Sequence, residues 1–273
     1  MRPALRRVWG LVYRHLALYR RSWPRVIELM YFPVLQILLW GFTSRWITSQ
    51  AALNQPGAAG SAAVAAGALL GGVLLWEVAL RSQMGMSLSF LEEIWSRNLG
   101  HIFVSPLRPR EMLGGFMVLS LLRTVVAVLP AAGLAWLLYG FGVFAMGPVI
   151  VLFFAALLLM GWAVSLGVIA MILRHGAGAE ALAWSLLFGL APFAAVFYPV
   201  ASLPVWVQPL SWALPAAHVF EGMRAALLDG RIAWNHLGAA FALDALWMAA
   251  MSWVFLRQFR RARETGALGS IGE

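Results

Sequence analysis

Long apolar runs, broken by short polar stretches, occupy most of this chain. A helix rises about 1.5 Å per residue, so a hydrocarbon layer of about 30 Å is filled by roughly 20 consecutive apolar residues. Six runs fit: Val26 to Ile47, Ala58 to Leu80, Phe116 to Tyr139, Val149 to Leu173, Ala181 to Tyr198 and Leu237 to Leu256. The pattern predicts an all-α membrane protein with six transmembrane helices, organised as a single domain over residues 1–273.

Three polar or interrupted segments carry further structure. In residues 1–25, Leu5, Val8, Trp9, Val12, Leu16 and Tyr19 recur at helical steps, with Arg7, Arg14 and Arg21 on the opposite side. Such a helix lies in the headgroup layer with its arginines toward anionic lipid. Residues 87–105 place Leu88, Leu91, Trp95, Leu99 and Ile102 on one stripe, and Glu92, Glu93, Ser96, Arg97 and His101 off it, before Pro106 and Pro109 stop the helix. Two readings stay open there, a helix resting on the membrane and a docking element for a soluble partner. Adjacent acids suit anionic lipid poorly.

Residues 199–230 are apolar but hold Pro199, Pro204, Pro209 and Pro215, which preclude one continuous helix. Short helices remain, one beginning near Pro204 with Ser202 as cap and another over Ala216 to Leu228. With Trp206, Trp212, Phe220 and Trp234 as interfacial anchors, the segment is expected to re-enter the outer leaflet without crossing it. Broken backbone at that depth must be buried in protein or line a cavity. Pro204, Trp206, Trp212, Phe220, Glu221 and Arg224 are therefore candidates for an outer gate, with a passive cap as the alternative.

Composition supports lipid as the main solvent, since 62% of residues are hydrophobic and only 11% charged. A water-soluble fold needs a far more charged surface. The net charge of +9 would point to nucleic acid if it covered a soluble face, but the arginines sit between apolar runs as topogenic charge. With both termini inside, Arg81, Arg97, Arg108, Arg110 and Arg174 join the basic ends on the cytoplasmic side. Arg45, Arg224 and Arg231 remain outside. The tail, 257–273, is cytoplasmic. The length of the first run favours a retained anchor over a signal cleaved near Ala51 and Ala52.

All basic residues are arginine, and cysteine is absent. A phosphate-binding loop of the GxxxxGK[ST] type, a Schiff-base lysine, a thiolate metal site and a cysteine nucleophile are thereby excluded. The histidines, His15, His101, His175, His218 and His236, form no HExxH, and no GxSxG occurs. Catalytic, cofactor-binding and metal-binding residues are expected to be absent.

Two stretches, LEEIWSRNLGHIFVSPLRPREMLGG from Leu91 and FYPVASLPVWVQPLSWALPAAHVFEGMR from Phe197, with their order among six runs and the arginine-rich first helix, resemble the permease subunits of ABC-2 type transporters. The resemblance covers nearly the whole chain. It implies an exporter subunit of the bacterial inner membrane that pairs into a dimer, most simply a homodimer, and associates with two separate ATPase subunits, which bind ATP and Mg. It implies a coupling helix over Leu91 to His101, with Leu91, Glu92, Glu93, Trp95, Arg97 and His101 facing the ATPase, and paired outer helices over Leu203 to Trp212 and Ala216 to Leu228. The cargo it implies is a lipid, a drug, or a polysaccharide or glycolipid.

Ionisable residues inside a bilayer are functional candidates by default. Glu28 lies one turn from Arg25, and Glu77 precedes Arg81 by four, an order that favours helical pairing. Arg123 and Asp244 come out at similar depth, so Glu77, Arg123 and Asp244 are expected to form an intramembrane polar network in which the last two pair. Ala63, Gly67 and Gly71 make a small-residue stripe suited to close packing. Beside Pro33, Tyr31, Gln36 and Trp40 form a face that either packs or borders a cargo path. A proton-coupled secondary transporter using Glu77, Arg123 and Asp244 is the alternative function, although the two halves show no echo of each other.

Overall fold

The computed structural model describes residues 3–54, 57, 59–98 and 107–264. Its α-helices are α1 (Pro3–Arg21), α2 (Trp23–Asn54), α3 (Ala59–Trp95), α4 (Pro109–Tyr139), α5 (Val149–His175), α6 (Glu180–Leu190), α7 (Gln208–Trp212), α8 (Pro215–Leu228) and α9 (Trp234–Glu264). Among the described residues, α2, α3, α4, α5 and α9 are the helices long and apolar enough to cross a membrane. This is the layout of a multi-pass membrane protein.

The run over Ala181 to Tyr198 departs from expectation. Helix α6 stops at Leu190, two residues before Pro192, whose ring nitrogen has no proton to donate. Turns follow, with Ala195 in the left-handed region at φ 55°. Ala183 nevertheless packs in the hydrophobic cluster at the α1 end, while Ala194 and Val196 pack in the cluster at the far end. Between these two clusters the chain runs partly as turns. Side chains satisfy the exposed backbone groups: Arg224 Nη1 donates to the Ala195 carbonyl at 3.0 Å, and the Val200 N–H donates to Glu221 Oε1 at 2.7 Å.

Helix α3 is longer than its apolar run. It continues past Leu80 to Trp95 and ends in a Schellman cap. Arg97 adopts the left-handed conformation at φ 54°, while the Asn98 and Arg97 N–H groups reach the Glu93 and Ile94 carbonyls at 2.9 Å. Leu91, Glu92, Glu93 and Trp95 thus sit on the last turns of α3 and not on a separate helix; His101 and the rest of 99–106 lie outside the described residues. Toward the other end of the chain, the helix expected over Leu203 to Trp212 is reduced to α7, with a hydrogen-bonded turn from Pro204 to Val207 before it. Ser202 closes a short 3₁₀ turn and makes no side-chain cap.

Two hydrophobic clusters organise the bundle. At the α1 end, Leu11 and Val12 of α1 meet Phe90 and Leu91 of α3, Phe116 of α4, Ile169 of α5 and Phe255 and Phe259 of α9. At the far end, Trp76 of α3, Phe153 of α5, Phe220 and Met223 of α8 and Leu237 of α9 pack together. Lipid gives helices no hydrophobic drive to associate, so close approach and hydrogen bonds carry the packing. Gly161 of α5 lies so near α3 that a Cβ would overlap Ser82 Oγ and stand 2.8 Å from the Ala79 carbonyl. Gly67 and Gly71, by contrast, face Phe141 of the same chain, which gives the small-residue stripe a packing role.

Candidate functional site

Helix α1 packs along α4 and reaches the end of α3 with its side chains. Its apolar positions Leu11 and Val12 are buried, but its arginines do not all turn to lipid as the amphipathic pattern predicts. Arg7 holds Glu111 at the start of α4, with Nη2 to Oε1 at 2.5 Å and Nε to Oε2 at 2.8 Å. Arg14 is ion-paired with Glu93. Next to it, His15 Nδ1 donates to the Leu11 carbonyl at 3.1 Å, and its Nε2 lies 3.3 Å from Glu93 and 3.7 Å from Glu92. Burial pushes the His15 imidazole below its ordinary pKa, while the Leu11 carbonyl and the glutamates act in the opposite direction and Arg123 adds to the lowering.

From α4, Arg123 completes the cluster. Its Nη2 donates to Glu92 Oε2 at 3.0 Å, its Nη1 to the Gly85 carbonyl at 3.2 Å, and its guanidinium lies 5.0 Å from the centre of the Tyr19 ring of α1. Glu93 Oε2 accepts from the Asn98 amide at 2.8 Å. Three helices are thereby tied at one point by opposite charges, of which Glu93 and Arg123 are buried while Glu92 and Arg14 are partly open; losing one partner of a buried charge leaves the other stranded.

These contacts correct two expectations. Glu92 and Glu93 were to face outward, but the Glu93 side chain is 0% exposed and Glu92 is half-buried against Arg123. The outward edge of this corner is instead Trp95, 51% exposed, with Ser96 and Arg97, while Leu91 is buried. Arg123 was to pair with Asp244, yet Asp244 is buried with neither carboxylate oxygen hydrogen-bonded among the described residues. Helix α3 carries its acids onward along the bundle, and Arg123 meets Glu92 instead of Asp244. Glu77 stays with Arg81, Oε2 to Nε at 3.0 Å, and joins neither. No ion pair links Arg25 and Glu28 among the described residues.

A ladder of short polar side chains, unforeseen from the sequence, runs through the apolar interior. Gln83 donates to Ser87 and to the Ala183 carbonyl, both at 3.1 Å, and Ser87 meets Ser165 at 2.8 Å. Ser120 donates to the Ser82 carbonyl at 2.6 Å and accepts from Trp162 Nε1 at 3.1 Å. The readable signal was SQMGMSLS, whose polar positions follow the second apolar run without breaking its helix.

At the far end, the residues expected to gate fall into separate environments. Phe220 is core, its ring centre 6.2 Å from that of Trp76. Glu221 and Arg224 hold the turns around Ala195 and Val200, as described above. Trp212 stacks on His236 at 5.8 Å, whereas Trp206 is 82% exposed beside an exposed Pro204. Along α2, Trp40 donates to Gln36 at 3.1 Å and stacks on Phe197 at 4.9 Å, so both pack internally, while Tyr31 lies on the exposed face.

No curated protein matches this chain. The family profile described as ABC-2 type transporter matches residues 6–228, from the docked α1 through the end of α8. The match takes in most of the amphipathic first helix, four of the five long apolar helices and nearly all of the broken far-end segment, with α9 beyond it, and the chain belongs to the ABC-2 type transporter family.

Proposed function

We propose that this chain is the permease of an ATP-driven exporter of the bacterial inner membrane, with both termini on the cytoplasmic side. It works as a dimer, most simply of two copies, with two separate ATPase subunits that hold ATP and Mg. The cargo is a lipid, a drug, or a polysaccharide or glycolipid, passing beside α2 where Tyr31 is exposed.

The observation that carries this reading is the buried charge cluster at the end of α3. A permease driven by a neighbour needs an element that receives a push at the membrane surface and passes it to several spans. Trp95 and Arg97 offer the exposed contact, and Glu92 and Glu93 just behind them are bound to α1 and α4. A displacement of this corner then moves three helices together, which lets nucleotide on the partner favour one state of the bundle.

The test is to purify the chain with its ATPase and compare wild type with Trp95→Glu combined with Arg97→Glu. Both positions are exposed, so the variant should insert and melt as wild type does. It should lose cargo-dependent stimulation of ATP hydrolysis. Full stimulation in the variant would overturn the reading, as would transport that persists without ATP and collapses with the proton gradient.

A further inference from the structure

Three acids stand at the corner where α1, α3 and α4 meet, and all three are engaged inside the chain. Glu92 is held by Arg123, Glu93 by Arg14 and Glu111 by Arg7. The Arg7 guanidinium, with the Arg108 N–H, keeps the Glu111 carboxyl down at about 2, so it stays ionised and bound at neutral pH. The cations are not all engaged in the same way. Arg97 lies one turn past Glu93, and Arg6 and Arg110 each adjoin a member of the Arg7–Glu111 pair; all three are exposed, and none has an ion pair among the described residues. What the corner shows outward is therefore positive, around the half-exposed indole of Trp95.

Lipid does not account for this charge. Helix α3 has 37 residues, a length of about 55 Å, whereas a bilayer with both headgroup layers is about 40–45 Å thick. The helix overshoots, and it does so at Trp95, because its other end is uncharged from Ala59 to Trp76. Tryptophan and arginine beyond the headgroups face water or another protein. Those two residue types are enriched in protein interfaces and among the side chains that dominate their affinity.

We infer that this corner docks on an acidic face of the ATPase subunit, where an apolar socket takes Trp95 and carboxylates around it meet Arg97, Arg110 and Arg6. The inference rests on the reading above that an ATPase drives the chain, and adds the chemistry of the surface that receives it. The mixed signs of LEEIWSR in the sequence fit a partner of either charge. With Glu92 and Glu93 turned inward, only cations remain to choose one. Opposite potentials speed encounter and fix register, while a basic face is repelled.

The experiment measures binding of the co-purifying ATPase subunit to the full chain in nanodiscs of phosphatidylcholine alone, which carries no net charge. Affinity and association rate should fall between about 50 mM and about 300 mM salt, as screening shortens the reach of exposed charges. Arg97→Gln combined with Arg110→Gln should weaken binding about fivefold at the lower salt, and the gap should close at the higher. Arg20→Gln combined with Arg21→Gln removes the same charge at the other end of α1 from Arg6 and should bind as wild type does. Every substituted residue is exposed, so the melting temperature should hold; should the first variant melt earlier, the salt dependence of wild type and of the second variant decides. Binding indifferent to salt, an undiminished first variant, or an equal loss in the second would each overturn the proposal while leaving an ATPase-driven permease in place. Binding that requires added phosphatidylglycerol would give the arginines to lipid and overturn it too. No binding of any ATPase would remove the reading beneath it as well.

Discussion

Arg123 of α4 and Glu92 of α3 meet at 3.0 Å, Nη2 to Oε2, with the arginine side chain buried and the glutamate only partly open. The guanidinium is also bonded to the Gly85 carbonyl and covered by Tyr19. The two residues therefore contribute unequally. Arg123→Gln strands Glu92 next to an already buried Glu93 and should cost about 3–5 kcal/mol. Glu92→Gln leaves Arg123 its backbone acceptor and should cost about 1–3 kcal/mol. Denaturant unfolding of the two single variants and the double variant gives the coupling energy. Simple additivity would show that the pair does not act as a unit.

The crossing of α3 and α5 at Gly161 has no room for a methyl group. Gly161→Ala should destabilise by about 1–3 kcal/mol, because the nearest neighbours include the Ala79 carbonyl, which cannot rotate away as a side chain would. Gly114 on α4 faces open space, and Gly114→Ala should stabilise by up to about 1 kcal/mol through helix propensity. Opposite signs for the same chemical change, measured under one unfolding protocol, separate packing from propensity.

Asp244 is 1% exposed with neither carboxylate oxygen hydrogen-bonded among the described residues. An unsatisfied buried polar group costs about 1–3 kcal/mol. Asp244→Ala should therefore leave stability unchanged or raise it, unlike Arg123→Gln. A loss of transport in an Asp244→Ala protein that melts no earlier than wild type would assign the residue to function. A large loss of stability would show that the carboxyl has a partner.

How much of this was legible in the sequence follows the range of the signal. Apolar length located α2, α3, α4, α5 and α9, and the three- and four-residue steps located α1, because both are local. The end of α3 was misplaced, since Arg81 and the short polar residues after it read as a boundary, whereas they are bonded inside the bundle: Arg81 to Glu77, Ser82 to Ala79 and Gln83 to Ser87. Pro33 and Pro130 stand within helices, while Pro192 follows the end of one. Proline alone did not say which outcome to expect. The charge cluster joins Arg14, Glu92, Glu93 and Arg123 from three helices, and no pattern within one segment pairs residues so far apart.

His218 Nδ1 of α8 and His236 Nδ1 of α9 lie 3.2 Å apart, and His218 Nε2 donates to the Trp212 carbonyl at 3.0 Å. With its Nε2 carrying the proton, neutral His218 accepts at Nδ1 and His236 donates. Burial holds His218 below its ordinary value, His236 adds to this, and the Trp212 carbonyl and Glu221 oppose it. The folded state therefore binds this proton less readily than the unfolded chain. The stabilisation is complete above the ordinary histidine value of about 6.5 and is lost as pH falls from there toward the depressed value. Protonation of His218 at Nδ1 sets two donors against each other and should loosen α8 from the start of α9. Wild type should melt earlier at pH 5.5 than at pH 7.5 by more than His218→Asn does, and hydrogen exchange at the α8–α9 contact should rise over the same interval. Equal acid sensitivity in wild type and variant would place the pH dependence elsewhere in the bundle.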